Sequence, residues 1–126
     1  MTQDPFDIDG AIRRVPDHPH EGILFYDLMP LFQEPQGLSA TTARIAAWSR
    51  ARGVDRVVGV EARGFVLGGA IATELGVGFS AARKRGKLPS ERVSREYALE
   101  YGTDVLEMHT DAVAPGQRVL VHDDLL

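Results

Sequence analysis

The chain has 126 residues, 44% apolar and 25% charged, the balance of a single folded domain rather than a disordered segment. Fourteen Lys plus Arg against 18 Asp plus Glu leave a net charge of -4, which argues against a dedicated nucleic-acid binder. The absence of cysteine excludes disulfides, thiol catalysis and thiolate metal sites, and no apolar run approaches the ~20 residues that cross a bilayer.

Residues 1–10 are acidic (Asp4, Asp7, Asp9), lack the basic and apolar regions of a signal peptide, and read as a flexible lead-in to a cytoplasmic protein. Residues 11–15 read as a helical turn or strand closed by Pro16, and Pro16 and Pro19 set a turn-rich passage to Gly22. Ile23, Leu24 and Phe25 form a brief apolar run, and residues 27–30 a turn into a helix start. Over residues 35–52, Leu38, Ile45 and Trp48 recur at helical spacing, with Arg44, Arg50 and Arg52 outside the stripe. That pattern predicts an amphipathic helix ended by Gly53. Residues 57–60 are a continuous apolar run, as in a buried parallel strand. A small-residue helix is predicted over Gly64–Leu75, closed by Gly76, and a second strand over residues 77–82. Strand, helix and strand in that order are the unit of an open α/β sheet.

Residues 83–95 break the pattern. They hold Arg83, Lys84, Arg85, Lys87, Arg92 and Arg95 against one acid, Glu91, and with Gly86 and Pro89 they read as a cationic loop. Residues 97–101 and 105–109 read as the arms of a hairpin turning on Gly102, Thr103 and Asp104. After a turn at residues 114–117, residues 118–121 form a buried strand running into His122, Asp123 and Asp124. The histidines show no metal-site spacing and read as surface or hydrogen-bonded side chains.

Three features gather where the C-terminal ends of parallel strands lie, the place where open α/β sheets bind ligands. Glu61-Ala-Arg63 joins a strand to a helix, so free N–H groups and Arg63 can hold an anion there, unless Arg63 is only a solvated loop residue. Asp123 and Asp124 can accept hydrogen bonds from vicinal hydroxyls or hold Mg²⁺ through water, or else cap a following helix. The cluster from Arg83 to Lys87 can neutralise a polyphosphate, or be a solvated loop. Neither a dinucleotide fingerprint nor a Walker-type loop is present. Composition and spacing therefore stop at an anion-binding α/β domain.

In order along the chain, Ile12-Arg-Arg-Val-Pro-Asp17, Gly22-Ile-Leu-Phe25-Tyr-Asp27, Val58-Gly-Val-Glu-Ala-Arg-Gly-Phe65, Arg83-Lys-Arg-Gly-Lys-Leu-Pro89, Tyr97-Ala-Leu-Glu-Tyr-Gly-Thr-Asp104, Pro115-Gly-Gln-Arg-Val-Leu-Val121 and Asp123-Asp-Leu-Leu126 resemble the adenine phosphoribosyltransferase family. The resemblance implies one type I phosphoribosyltransferase-like domain over residues 1–126. Its sheet would be open, mostly parallel and C-terminally incomplete, with flanking helices. Residues 11–34 would be a base-binding segment, and residues 83–109 the basic loop and an active-site flap. It implies Mg²⁺-dependent purine salvage, in which adenine and phosphoribosyl pyrophosphate give AMP and pyrophosphate, by a cytoplasmic homodimer free of nucleic acid and membrane.

The same resemblance assigns Glu61, Ala62 and Arg63 to pyrophosphate, with Arg63 also catalytic. Arg83 and Lys87 would bind pyrophosphate too, reaching across a dimer interface, and Lys84 would belong to the same substrate site. Asp123 and Asp124 would hold the ribose hydroxyls and the waters of Mg²⁺, with no direct metal ligand. Backbone groups of Leu24 and Tyr26 would read adenine beside Phe25, and Glu100 and Tyr101 would act from the flap, Glu100 on the purine proton. The family's loop of small residues for the ribose 5′-phosphate would follow Leu126. Since its hydrogen bonds are worth about 1.5–3 kcal/mol each, the 126-residue chain alone is expected to be weak or inactive. His122, where the family has an apolar residue, has no evident reason. The alternatives are a non-catalytic nucleotide- or phosphate-binding module of the same fold, and an interaction fragment with an exposed sheet edge.

Overall fold

The computed structural model describes residues 5–99 and 101–124. The chain divides into two compact units, Met1–Arg44 and Ile45–Leu126.

In the first unit, the Asp7 carboxylate accepts the Gly10 N–H at 3.0 Å and caps a helical turn, α1 (Ile8–Ala11). This helical turn spans the end of the segment read as a lead-in. Strand β1 (Arg13–Pro16) pairs antiparallel with β2 (Leu24–Asp27), Arg14 opposite Tyr26. Between them the chain turns at Asp17, whose φ is 56° and whose carboxylate accepts the Gly22 N–H at 2.9 Å. The Asp27 carboxylate accepts the Met29 N–H at 2.9 Å where α2 (Met29–Gln33) begins.

Helix α3 (Pro35–Arg50) opens on a proline, whose missing N–H costs nothing in a first turn. It stops two residues before the predicted end, and the chain leaves through Gly53 at φ 67°. The expected apolar stripe is corrected at Trp48, which is 51% exposed beneath the Arg52 guanidinium, 3.7 Å from its ring centre. The buried positions are Gly37, Thr42, Ala46 and Ser49. Small side chains at helical spacing make the close face, and the indole is left outside to pack against an arginine.

The second unit is a five-stranded sheet with α4 packed on β3 and β4. Its elements are β3 (Arg56–Val60), α4 (Gly64–Leu75), β4 (Gly78–Lys84), β5 (Arg92–Leu99), β6 (Gly102–His109) and β7 (Val119–His122), and the strand order is β5-β6-β4-β3-β7. Strand β3 runs parallel to β4 and β7, which is the expected parallel core, and β6 joins β4 antiparallel to add the hairpin. Val57, Val58, Leu67, Ile71, Ala72 and Ala82 are buried at the centre.

Strand boundaries differ from the sequence reading around the basic segment. Strand β5 begins at Arg92, so Arg92 and Arg95 are paired with β6 instead of lying in the cationic loop. Strand β4 continues through Arg83 and Lys84 because these pair with Glu107 and Leu106 of β6, so the basic loop starts only at residue 85. The hairpin pairs Leu99 with Gly102, which puts Thr103 and Asp104 within β6 rather than in the turn. Asp104 stays in the strand because Lys84 and the Tyr97 hydroxyl hold its carboxylate.

Close backbone approach sets the sheet–helix packing. The Phe79 ring fills a notch between β3 and α4, where a Cβ on Gly59 would lie 2.6 Å from Phe79 Cε2 and one on Gly68 2.9 Å from it. At the first turn of α4, a Cβ on Gly64 would lie 2.5 Å from the His122 carbonyl oxygen. Glycine there lets the helix begin directly against the end of β7. The parallel register sets Val60 beside Ala82 and Gly59 beside His122, so Glu61, Arg83 and Asp123 all emerge at one end of the sheet.

Gly59→Ala is expected to destabilise the fold by about 1–3 kcal/mol through overpacking against the Phe79 ring. Urea unfolding measures this, and an unchanged midpoint would contradict the packing.

Candidate active site

The turn after β3 faces two ways. At its start, the Glu61 side chain is only 9% exposed. Its Oε1 accepts hydrogen bonds from Arg83 Nε and from the Lys84 backbone N–H, both at 3.1 Å, and its Oε2 is paired with the Lys87 ammonium. The Lys87 ammonium is the main cause that holds the Glu61 carboxyl below its usual range. The Lys84 N–H and the Arg83 guanidinium add to it, while burial opposes it. Glu61 is therefore an ionised carboxylate that gathers the end of β4 and the following loop. The Glu61–Ala62 peptide is cis.

At the other end of the turn, Arg63 Nε lies 3.4 Å from Asp124 Oδ1. The Asp124 side chain is 11% exposed, and its N–H donates to Asp123 Oδ1 at 2.8 Å. Burial, and then its hydrogen bond with Asp123, push the Asp124 carboxyl above its usual value against the pull of Arg63. Asp124 Oδ1 has no hydrogen-bond partner among the described residues. Beside the pair, burial lowers the His122 imidazole despite both aspartates, so the ring is neutral at pH 7. His122 Nε2 and His109 Nε2 are buried without a hydrogen-bond partner among the described residues, contrary to the surface-or-bonded reading.

Of the residues singled out in the sequence, Glu61, Arg83 and Lys87 come together, and Arg63 meets Asp124 beside Asp123, with Ala62 exposed between the two groups. Lys84 is the exception. Successive side chains of a strand point to opposite faces, and while Arg83 turns to Glu61, the Lys84 ammonium goes to Asp104 and, at 2.9 Å, to the Tyr97 hydroxyl. That pairing raises its pKa, Asp104 being the main cause, and only its backbone N–H joins Glu61. Tyr101 is 96% exposed at the tip of the hairpin and touches none of these groups, and Glu100 lies outside the described residues.

In the first unit, Leu24 and Tyr26 are exposed on β2, and Phe25 is half-buried with its ring edge-to-face on His18 at 5.0 Å. A two-stranded ribbon leaves one backbone edge of β2 free to hydrogen-bond. The sequence reading missed Asp104 and Glu107 as partners of the basic segment. An acid at Glu107, two residues from Val105 and so on the same inward face of β6, was the available signal.

A parallel α/β core with an arginine-bearing strand-to-helix turn, a neighbouring strand ending in paired acids and a basic hairpin is the arrangement of a phosphoribosyltransferase-type transferase. No protein-family model matches the chain. It is 49% identical over 120 residues to the adenine phosphoribosyltransferase of Parvibaculum lavamentivorans, an overlap of 95% of this chain and 69% of that protein. The crystal structure of the Thermoanaerobacter pseudethanolicus adenine phosphoribosyltransferase superposes with a TM-score of 0.87 at 46% identity, over 93% of this chain and 68% of that one. The Saccharomyces cerevisiae enzyme, complexed with D-2,5-dideoxy-2,5-imino-altritol 1,6-bisphosphate and adenine, superposes at 0.88 with 36% identity, over 93% of this chain and 69% of that one. The chain belongs to the adenine phosphoribosyltransferase family, whose members are pentosyltransferases.

The Glu61 carboxyl has an ordinary value of 4.5 and a lower one when folded. It stabilises the fold above about pH 4.5, and that contribution is lost as the pH falls through its folded value. The urea midpoint of the wild type should exceed that of Glu61→Gln most at about pH 7, with the gap closing below about pH 4. A gap that stays constant across this range would contradict the pairing.

Proposed function

We propose that this site transfers the phosphoribosyl group of phosphoribosyl pyrophosphate to adenine, giving AMP and pyrophosphate. The observation that carries the reading is the single turn from Glu61 to Arg63, which holds three cations and an acid pair at one end of the sheet. Arg63, Arg83 and Lys87 take the pyrophosphate. Without it, Arg83 and Lys87 rest on the Glu61 carboxylate, which keeps two like charges side by side and correctly aimed. Asp123 and Asp124 accept hydrogen bonds from the ribose hydroxyls, with Arg63 beside Asp124.

Breaking the glycosyl bond builds positive charge on the sugar ring and negative charge on the departing pyrophosphate. The residues that matter are therefore donors to that anion rather than a nucleophile. Adenine presents an amino donor beside a ring acceptor, a pattern that backbone groups of Leu24 and Tyr26 match while Phe25 packs on the base. The hairpin that carries Glu100 and Tyr101 closes over the site to exclude water, with Glu100 taking the purine proton.

The donors at the acid pair are hard carboxylate oxygens, and no group of three His, Cys, Asp or Glu that could hold a metal ion occurs among the described residues. Hard oxygens of this kind suit Mg²⁺, and Asp123 and Asp124 would hold the waters around it. When bound, it supplies charge neutralisation to the pyrophosphate. A homodimer and a cytoplasmic location belong to the same reading. No helix among the described residues is long and apolar enough to cross a membrane.

The test pairs ligand-induced thermal shift with radiolabelled adenine turnover. Phosphoribosyl pyrophosphate with Mg²⁺ should raise Tm, AMP should form at the low rate expected of the 126-residue chain, and Arg63→Ala or Lys87→Ala should each lower kcat/KM about tenfold or more, the worth of one charge-assisted contact. Ligand binding without AMP formation would instead mark a binding module. A Tm indifferent to phosphoribosyl pyrophosphate would overturn the site.

A further inference from the structure

Lys87 sits in a loop, yet its place is set on both sides. On one side is Gly86, in the left-handed region at φ 84°. Its N–H donates at 2.8 Å to Glu107 Oε1. On the other side is Leu88, which is buried. Glu107 is itself only 5% exposed. Its other oxygen, Oε2, accepts the Ser94 hydroxyl and Arg92 Nε at 3.2 Å. One buried carboxylate thus ties the loop, β5 and β6 together, one residue away from the cation that rests on Glu61. The Ser94 hydroxyl first, and then the Gly86 N–H, hold its carboxyl below the usual range, so it is ionised and accepts from every donor around it.

We propose that Glu107 is a positioning residue for the pyrophosphate side of the site, acting through the Gly86 N–H to fix where Lys87 presents its ammonium. This rests on the functional reading above. An isolated surface lysine explores many rotamers and contributes little as a fixed donor. Pinning its two flanking residues fixes where the Lys87 side chain starts, and Glu61 then holds its ammonium, so misplacing the loop costs affinity for the anion it serves. Glutamine at 107 keeps the size but has a single acceptor oxygen and no charge. It cannot serve Gly86, Ser94 and Arg92 together, so the loop would be released.

Isothermal titration on the full 126-residue chain tests this, with pyrophosphate plus Mg²⁺ and AMP as separate ligands. In Glu107→Gln, pyrophosphate affinity should fall about tenfold while AMP affinity changes less than about twofold, because AMP has no pyrophosphate for Lys87 to hold. In a Lys87→Ala background, adding Glu107→Gln should change pyrophosphate affinity by less than about twofold, since the path through Lys87 is already gone. Three results would overturn the proposal: pyrophosphate affinity unchanged in Glu107→Gln, an equal loss in the Lys87→Ala background, or loss of AMP and pyrophosphate binding together, which would make Glu107 a general support of the fold. A wild-type chain that binds no pyrophosphate would overturn the functional reading itself, and Glu107's role with it.

Discussion

An acid that is nine-tenths buried must be satisfied on both oxygens, and at the end of β3 that requirement organises the molecule. Glu61 is met by the Arg83 guanidinium, the Lys84 backbone N–H and the Lys87 ammonium. These come from the last residues of β4 and the loop after it, so the carboxylate ties the parallel core to the base of the hairpin. The register of β3 with β4 is the precondition. With Val60 level with Ala82, the next residue of each strand faces the other, and a slip of one position would turn Arg83 away.

The charges around this end are arranged for placement rather than for stability. Five cations around this end are paired with acids: Arg83 and Lys87 share Glu61, Lys84 has Asp104, Arg92 has Glu107, and Arg63 has Asp124. At Glu61, Glu107 and Asp124 the acid is largely buried and the cation partly exposed, so each pair adds a modest amount to folding free energy. What they do is keep like charges close together in defined positions, so that a polyanion meets donors already in place and exchanges one set of carboxylate partners for its own oxygens. The glycines at 59, 64 and 68 serve the same end. They draw α4 down until the Arg63 turn lies against the end of β7, where the acid pair begins.

Features that depend on neighbouring residues were legible in the sequence. The apolar run of β3, the α4 segment bounded by Gly64 and Gly76, and the paired acids after β7 all lie where local pattern puts them. The family resemblance agrees with the relatives and with the superposed structures. Illegible were the features set by pairing between distant strands. That Lys84 faces Asp104 rather than Glu61 follows from β4 reaching β6, which no spacing within residues 83–87 reveals. The hairpin turn was misplaced for the same reason, since glycine, threonine and aspartate at 102–104 favour a turn locally but are held in β6 by partners across the sheet. Trp48 was read as core because its helical phase is right. The buried positions carry the small residues Gly37, Thr42, Ala46 and Ser49, which a hydrophobicity pattern undervalues.

The central claim is that the carboxylate ending β3 is what gathers the basic groups of the neighbouring strand and loop. A double-mutant cycle in urea with Glu61→Gln, Lys87→Met and the double variant at neutral pH measures it directly. The account predicts that the double variant is less destabilised than the sum of the two single ones. Strict additivity would mean that the two side chains do not support one another, and would contradict it.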